Sequence, residues 1–122
     1  MAIIPTMKCN EMDKSVSFYT KILDFVLVGT WPEKSNPSFS VLNRNGDELH
    51  LSSHQGDGTF GSVVAVIVSD IDGLFEKYVA RGLNTNAKLD SPVHQGPTNQ
   101  TWGTREFYVD DPDGNTIRFV QR

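Results

Sequence analysis

The sequence predicts an α+β fold built from two copies of a strand-helix-strand-strand-strand unit. The first observation is a repeat: helical patterns around Met12 and Ile71 align at a constant offset of 59 residues, roughly half of the 122-residue chain. The second is a pair of turn signals, Asn45-Gly46 and the Asp-Pro-Asp-Gly-Asn run at 111–115, each between two strand-like segments. Together they predict two similar modules, each ending in a hairpin.

The first module begins with a strand in AIIPTMKC, followed by an amphipathic helix in NEMDKSVSFYTKILDF. One face of this helix carries the apolar residues Met12, Val16, Tyr19 and Leu23. Three further strands are predicted in FVLVGTW, SFSVLNR and DELHLSSH. The Asn-Gly dipeptide predicts a tight hairpin between the last two.

The second module repeats this order. A strand is predicted in GSVVAVIVS, and a helix in DIDGLFEKYVARG, closed by Gly82. A weaker strand is expected in LNTNAKL, and a loop in the Pro-, Gly- and Asn-rich DSPVHQGPTNQ. The last two strands are expected in TREFYVD and NTIRFVQ.

Composition and charge narrow the function classes. A net charge of −4 argues against nucleic acid and anionic membrane surfaces as partners, and mildly favours a cationic small molecule. The single Cys9 cannot form an intramolecular disulfide, which agrees with a cytoplasmic setting. We expect no secretory signal and no transmembrane span.

Three segments carry a family resemblance: SVSFYTKILDF, SDIDGLFEKYVARG and WGTREFYVDDPDGN. In this order and at these separations, they resemble the vicinal oxygen chelate superfamily, the glyoxalase and bleomycin-resistance fold. The resemblance implies a single domain over 1–122, with module one at about 1–56 and module two at about 60–122. It also implies curved mixed sheets around a concave cavity, helices on the outside and association as a homodimer.

The resemblance also tests for a metal site. Metal-dependent members of the family place ligands on the first, fourth, fifth and eighth strands, and these positions fall here on Ile4, His50, Val63 and Arg118. Two hydrocarbon side chains and a permanent guanidinium cannot replace the missing donors. We therefore expect no metal, no other cofactor and no catalytic residue. Cys9 as a nucleophile is disfavoured against a small residue that closes the first strand.

Candidate ligand-binding residues are aromatic or polar side chains expected near the cavity: Trp102, Phe39, Trp31, Phe60, His50 and Arg118. The resemblance implies that aromatic residues at the Trp102-like and Phe39-like positions hold flat heteroaromatic rings. Each polar candidate also has a structural alternative. His50 can pair with a neighbouring strand or Glu48, and Arg118 with Glu48 or Glu106. Trp102 can bury its indole as a packing residue.

The leading hypothesis is a metal-free binding protein that sequesters a planar bleomycin-type antibiotic, or a related small molecule, as a dimer. The alternative is a glyoxalase-like lyase or dioxygenase whose metal ligands lie at other positions, with His50 as the one ligand that remains at its usual place.

Overall fold

The structure is a computed structural model that describes residues 1–33 and 35–122. In these residues the chain forms two four-stranded mixed sheets with short helices, which confirms the predicted α+β fold class. The elements in chain order are β1 (Thr6–Lys8), α1 (Met12–Ser17), β2 (Val26–Trp31), β3 (Phe39–Arg44), β4 (Asp47–Ser52), β5 (Val63–Ile67), α2 (Ile71–Ala80), α3 (Pro92–Gln95), β6 (Thr98–Asn99), β7 (Arg105–Asp110) and β8 (Thr116–Gln121). A π-helical turn, Phe18–Ile22, continues α1.

The two sheets have the same topology. Their strand orders are β1-β4-β3-β2 and β5-β8-β7-β6. In each sheet the first and fourth strands of the module pair in parallel, and the remaining neighbours are antiparallel. Helices α1 and α2 begin at Met12 and Ile71, the two residues that the 59-residue offset aligns. The internal repeat predicted from the sequence is therefore confirmed.

The first compact unit comprises residues 1–62 together with the turn at 111–115. Helix α1 packs on β3 and β4. Along β4, Leu49 and Leu51 are buried while Glu48 and His50 are not, because successive strand residues point to opposite faces. The unit's sheet therefore has a core face, covered by the helix, and an open face.

The turn at 111–115 is held in this unit by its own side chains. Asp111 Oδ1 accepts the backbone N–H groups of Asp113 and Asn115, each at 2.9 Å. Asn115 is fully buried; its Nδ2 donates to the Lys8 carbonyl at 2.8 Å, and its Oδ1 accepts the N–H groups of Gly61 and Ser62 at 3.1 and 3.0 Å. The Asp-Pro-Asp-Gly-Asn motif is thus a packed structural turn.

The second compact unit comprises 63–110 and 116–122. Helix α2 packs on β7 and β8, where Phe107 and Phe119 stack with ring centroids 4.9 Å apart. Asp70 begins the helix, because its Oδ1 accepts the Gly73 N–H at 3.1 Å. This unit also has one helix-covered core face and one open face.

One strand prediction is wrong. The segment LNTNAKL, at 83–89, contains no strand, and the strand that pairs with β7 is β6, inside the predicted loop at 90–100. Asn84 Oδ1 accepts the N–H of Asn86, and this local bond competes with sheet pairing. The predicted loop also contains α3, which begins with Pro92 after Ser91.

Candidate functional site

Three candidate side chains share the open face of the first sheet. Trp31 and Phe39 are direct partners across β2 and β3, so they point to the same side. The Phe39 ring meets the His50 ring nearly edge-on, with centroids 4.9 Å apart. Trp31 is 54% exposed. The structure therefore brings Phe39 and His50 into contact and leaves an aromatic surface open to solvent.

His50 has a carboxylate partner on its own strand. Its Nε2 lies 2.9 Å from Glu48 Oε2, and both residues remain partly exposed. This contact is the structural alternative predicted for His50. It occupies one ring nitrogen, Nε2.

Phe60 occupies a different place in the first unit. It lies in the segment between β4 and β5 and is 51% exposed. The Lys8 ammonium is 5.7 Å from the centroid of its ring, within the range of a cation–π contact. Phe60 is thus an exposed aromatic residue held from a loop.

Trp102 is the most exposed aromatic candidate. It lies in the turn before β7, where Gln100 N–H donates to the Thr104 carbonyl at 2.7 Å. Its side chain is 64% exposed, so the alternative in which the indole is buried for packing does not hold in this structure. The indole Nε1–H donates to Glu106 Oε2 at 3.2 Å. One edge of the ring is anchored while much of its surface faces solvent.

Glu106 lies at the centre of a hydrogen-bond network in the second unit and is only 1% exposed. Its Oε1 accepts from Tyr108 Oη at 3.0 Å and from Arg118 Nη2 at 2.9 Å. Its Oε2 accepts from Trp102 and from the Thr104 hydroxyl. Burial alone raises the pKa of the Glu106 carboxyl, but these four donors outweigh burial and lower the pKa to about 2. The carboxylate is therefore ionised at neutral pH.

Arg118 is held within the protein. Besides its bond to Glu106, its guanidinium carbon lies 5.0 Å from the centroid of the Tyr108 ring. The pKa of Arg118 is raised, first by its hydrogen bond to Glu106. This is one of the two pairings predicted for Arg118 from the sequence, and it makes the guanidinium part of the network that anchors Trp102.

The four positions where the family's metal-dependent members place ligands do not fit a metal ion. Ile4 precedes β1, and Val63 carries a hydrocarbon side chain that is 59% exposed. His50 is paired with Glu48, and Arg118 with Glu106. Among residues 1–33 and 35–122, no three His, Cys, Asp or Glu side chains are grouped so that they could hold a metal. We derive no chemistry through a metal at these positions.

Comparison with known proteins now gives the family. A family model described as the Glyoxalase/Bleomycin resistance protein/Dioxygenase superfamily matches residues 6–119. The chain belongs to this superfamily. The family resemblance predicted from the sequence is thereby confirmed.

Individual members of the superfamily resemble the chain over nearly its whole length. A bleomycin resistance protein of Geobacillus stearothermophilus is 28% identical, covering 98% of this chain and 95% of that protein. A probable lactoylglutathione lyase of Vibrio parahaemolyticus is also 28% identical, covering 98% and 89% respectively. The solved structure of a bleomycin-binding protein complexed with bleomycin shares the fold, with a TM-score of 0.73, 20% identity and coverage of 100% and 98%. The relatives named as a bleomycin resistance protein and as a probable lactoylglutathione lyase are thus equally similar in sequence.

His94 has partners that the sequence reasoning missed. Its Nδ1 lies 2.7 Å from Ser91 Oγ, and its Nε2 lies 3.0 Å from Asp110 Oδ1. Asp110 also pairs with Lys88 at 2.6 Å. The Ser-Pro pair that starts α3 was a usable signal, because it predicts a helical turn that places residue 94 beside residue 91.

Cys9 is a structural residue in this geometry. It is only 2% exposed, and burial raises the pKa of its thiol to about 11. A neutral buried thiol is a poor nucleophile. This agrees with the prediction that Cys9 is a small structural residue and not a nucleophile. Within the described ranges, no helix is both long and apolar enough to cross a bilayer.

Proposed function

We propose that this protein binds a planar bleomycin-type antibiotic, or a related small molecule, and sequesters it without chemical change. The observation that carries the proposal is the indole of Trp102, which is 64% exposed and anchored by a buried carboxylate. A large exposed aromatic side chain with a fixed edge is suited to stacking on a flat ring. The relatives named as bleomycin resistance proteins support bleomycin as the first ligand to test.

The remaining candidate residues are proposed as ligand contacts within their own units. Phe39, Trp31 and His50 offer aromatic contact from the first sheet, and Phe60 from its loop. Arg118 contributes through Glu106. The net charge of −4 favours a cationic ligand.

The direct test is a titration with metal-free bleomycin, followed by tryptophan fluorescence and by calorimetry. We expect saturable binding at micromolar ligand, and affinity reduced by at least about tenfold in Trp102→Ala, as for a central aromatic contact. Trp31→Phe is the matched variant, because it keeps an aromatic ring and reports which indole is quenched. Absence of saturable binding to the unmodified protein would contradict the proposed ligand.

We propose that binding requires no metal. The paired states of His50 and Arg118, and the hydrocarbons at Ile4 and Val63, support this. The relatives named as lactoylglutathione lyases favour the alternative, a metal-dependent enzyme with ligands elsewhere. Metal analysis of protein purified without chelator separates the two. Stoichiometric metal that is lost in His50→Ala supports the enzyme and contradicts the metal-free proposal.

We further propose that the protein acts as a homodimer in the cytoplasm. Apolar residues exposed on two edge strands support association: Val26 and Val28 on β2, and Val63 and Ile67 on β5. The free, buried thiol of Cys9 agrees with a reducing compartment. Sedimentation equilibrium at micromolar protein tests the dimer, and a monomeric mass contradicts it.

A further inference from the structure

We propose that Glu106 is a positioning residue that fixes the orientation of the exposed Trp102 indole before a ligand arrives. This inference rests on the proposed function, because the benefit of a fixed indole is to binding. It assigns a role in recognition to a side chain that is itself buried and that we do not place in contact with the ligand.

The geometry separates anchoring from contact. Glu106 is 1% exposed and Trp102 is 64% exposed, yet the indole Nε1 lies 3.2 Å from Glu106 Oε2. The indole has one polar atom, and that atom is the one bound. Holding it restricts rotation of the ring about its side-chain bonds while leaving the apolar surface free. A side chain already fixed loses less conformational freedom when a ligand binds.

The carboxylate is itself held in place. Tyr108 and Arg118 bind the Oε1 atom, and the Thr104 hydroxyl shares the Oε2 atom with the indole. Tyr108 and Arg118 also face each other across β7 and β8, so the anchor rests on paired strands. The turn that carries Trp102 leads directly into β7. Rigid strands therefore transmit a defined position to an otherwise solvent-exposed side chain.

The charge of Glu106 is balanced within the protein, so Glu106 affects binding by positioning Trp102 and not by attracting a charged ligand. The ion pair with Arg118 compensates the charge of Glu106, at 2.9 Å. The carboxylate is also almost fully buried, so it offers a cationic ligand little surface to contact. Its effect on binding therefore passes through Trp102, and a variant of Glu106 should lose its effect when Trp102 is absent.

The first experiment needs no ligand. The Nε1–H signal of Trp102 in a proton–nitrogen correlation spectrum, assigned with Trp102→Phe, reports the hydrogen bond directly. We expect Glu106→Gln to move this signal upfield and to speed its exchange with solvent, because an amide is a weaker acceptor than a carboxylate. Glu76→Gln, an exposed change on α2, is the matched control and should leave the signal unchanged.

A second variant guards against misfolding of Glu106→Gln. Thr104→Val removes the hydroxyl that competes for Oε2. We expect it to move the indole signal downfield, opposite to Glu106→Gln. Identical indole signals and exchange rates in the wild type and both variants would overturn the proposal.

The second experiment couples the anchor to binding of metal-free bleomycin. We expect Glu106→Gln to weaken affinity by about three- to tenfold, the scale of one lost ordering contact, and to have no further effect in a Trp102→Ala background. Equal losses in both backgrounds overturn positioning, while binding to the wild type still supports the proposed function. If the wild type does not bind bleomycin, the ligand assignment fails and the spectroscopic result alone decides whether Glu106 fixes Trp102.

Discussion

The two sheets share one strand order, but they differ in the basic side chain that pairs with a carboxylate on the open face. In the first sheet, Glu48 and His50 lie on the same strand and both are partly exposed. In the second sheet, Arg118 on β8 pairs with Glu106 on β7, whose side chain is 1% exposed. The guanidinium of an arginine is permanently charged. The two sheets thus share a scaffold, and their open faces differ in whether the charged groups are exposed to solvent or held inside a hydrogen-bond network.

The two closing hairpins show a similar contrast. Asn45 and Gly46 form a tight turn at the end of β3, with positive φ values of 53° and 89°, and both residues are exposed. The turn at 111–115 is longer and includes the buried Asp111 and Asn115. The first turn has an exposed hydrogen bond from the Gly46 N–H to Asn43 Oδ1 at 3.1 Å, while the second depends on buried side-chain hydrogen bonds.

The largest expected effect follows from this contrast. Asn115→Ala removes four side-chain hydrogen bonds, including those to the Lys8 carbonyl and to Asp111. We expect a loss of about 3 kcal/mol in the free energy of unfolding, because buried polar partners are left unsatisfied. Asn45→Ala, which replaces a residue type that tolerates positive φ by one that tolerates it less well, should cost about 1 kcal/mol. Urea unfolding measures both, and equal losses would contradict the contrast.

Most of the fold could be predicted because its signals are local. Helix periodicity fixed both helix starts, and turn chemistry fixed both hairpins, since each depends on residues adjacent in the sequence. The mixed character of the two sheets was implied by the family resemblance, whereas their strand order was not predicted. The missed strand, β6, has only two residues, too few for any alternation pattern, and its pairing is decided by the position of β7.

The second prediction sharpens the contrast between the two carboxylates through pH. The folded-state pKa of Glu106 is about 2, below its ordinary value of 4.5. Its contribution to stability is therefore fully present above about pH 4.5 and is lost as the pH falls toward 2, because the unfolded chain takes up the proton first. We expect the unfolding free energy to fall more steeply with acid in the wild type than in Glu106→Gln. The two slopes should differ by up to about 1.4 kcal/mol per pH unit, the value for the uptake of one proton on unfolding.

Glu48→Gln is the control for this measurement. Its side chain is 44% exposed and forms no part of a buried network. Between pH 2 and 5, we expect the unfolding free energy of Glu48→Gln to change with pH as it does in the wild type, within about 0.3 kcal/mol per pH unit, as for an exposed pair. A slope reduced as much as in Glu106→Gln would show that burial does not distinguish the two pairs.

The site was harder to predict than the fold, although three of the four donors to Glu106 lie within four residues of it in the sequence. Trp102, Arg118 and their neighbours could be chosen by residue type and by strand alternation. The convergence of four donors on Glu106 could not, because it depends on the register between β7 and β8 and on the turn before β7. The sequence offered Glu106 only as one of two partners for Arg118. Its bond to the indole depends on the conformation of the turn before β7.

The smallest expected effect compares the two exposed tryptophans through their neighbouring glycines. Gly103, beside Trp102, has a φ of 97° and open space where a Cβ would lie. Gly29 lies in the irregular part of β2, and a Cβ there would come within 2.7 Å of the Trp31 ring. Gly103 is needed for backbone conformation, and Gly29 for space beneath an indole.

Alanine at each position should therefore act differently. Gly103→Ala strains the backbone and should cost about 1 kcal/mol in unfolding free energy. Gly29→Ala should cost only about 0.5 kcal/mol, because the half-exposed Trp31 ring can move to another rotamer. The displaced ring is the observable: in a Trp102→Phe background, Gly29→Ala should change the emission maximum and the quenching of Trp31. Unchanged Trp31 fluorescence would mean that the indole does not rest on Gly29, and its orientation on the open face would then have to be set by Phe39 across the strand pair.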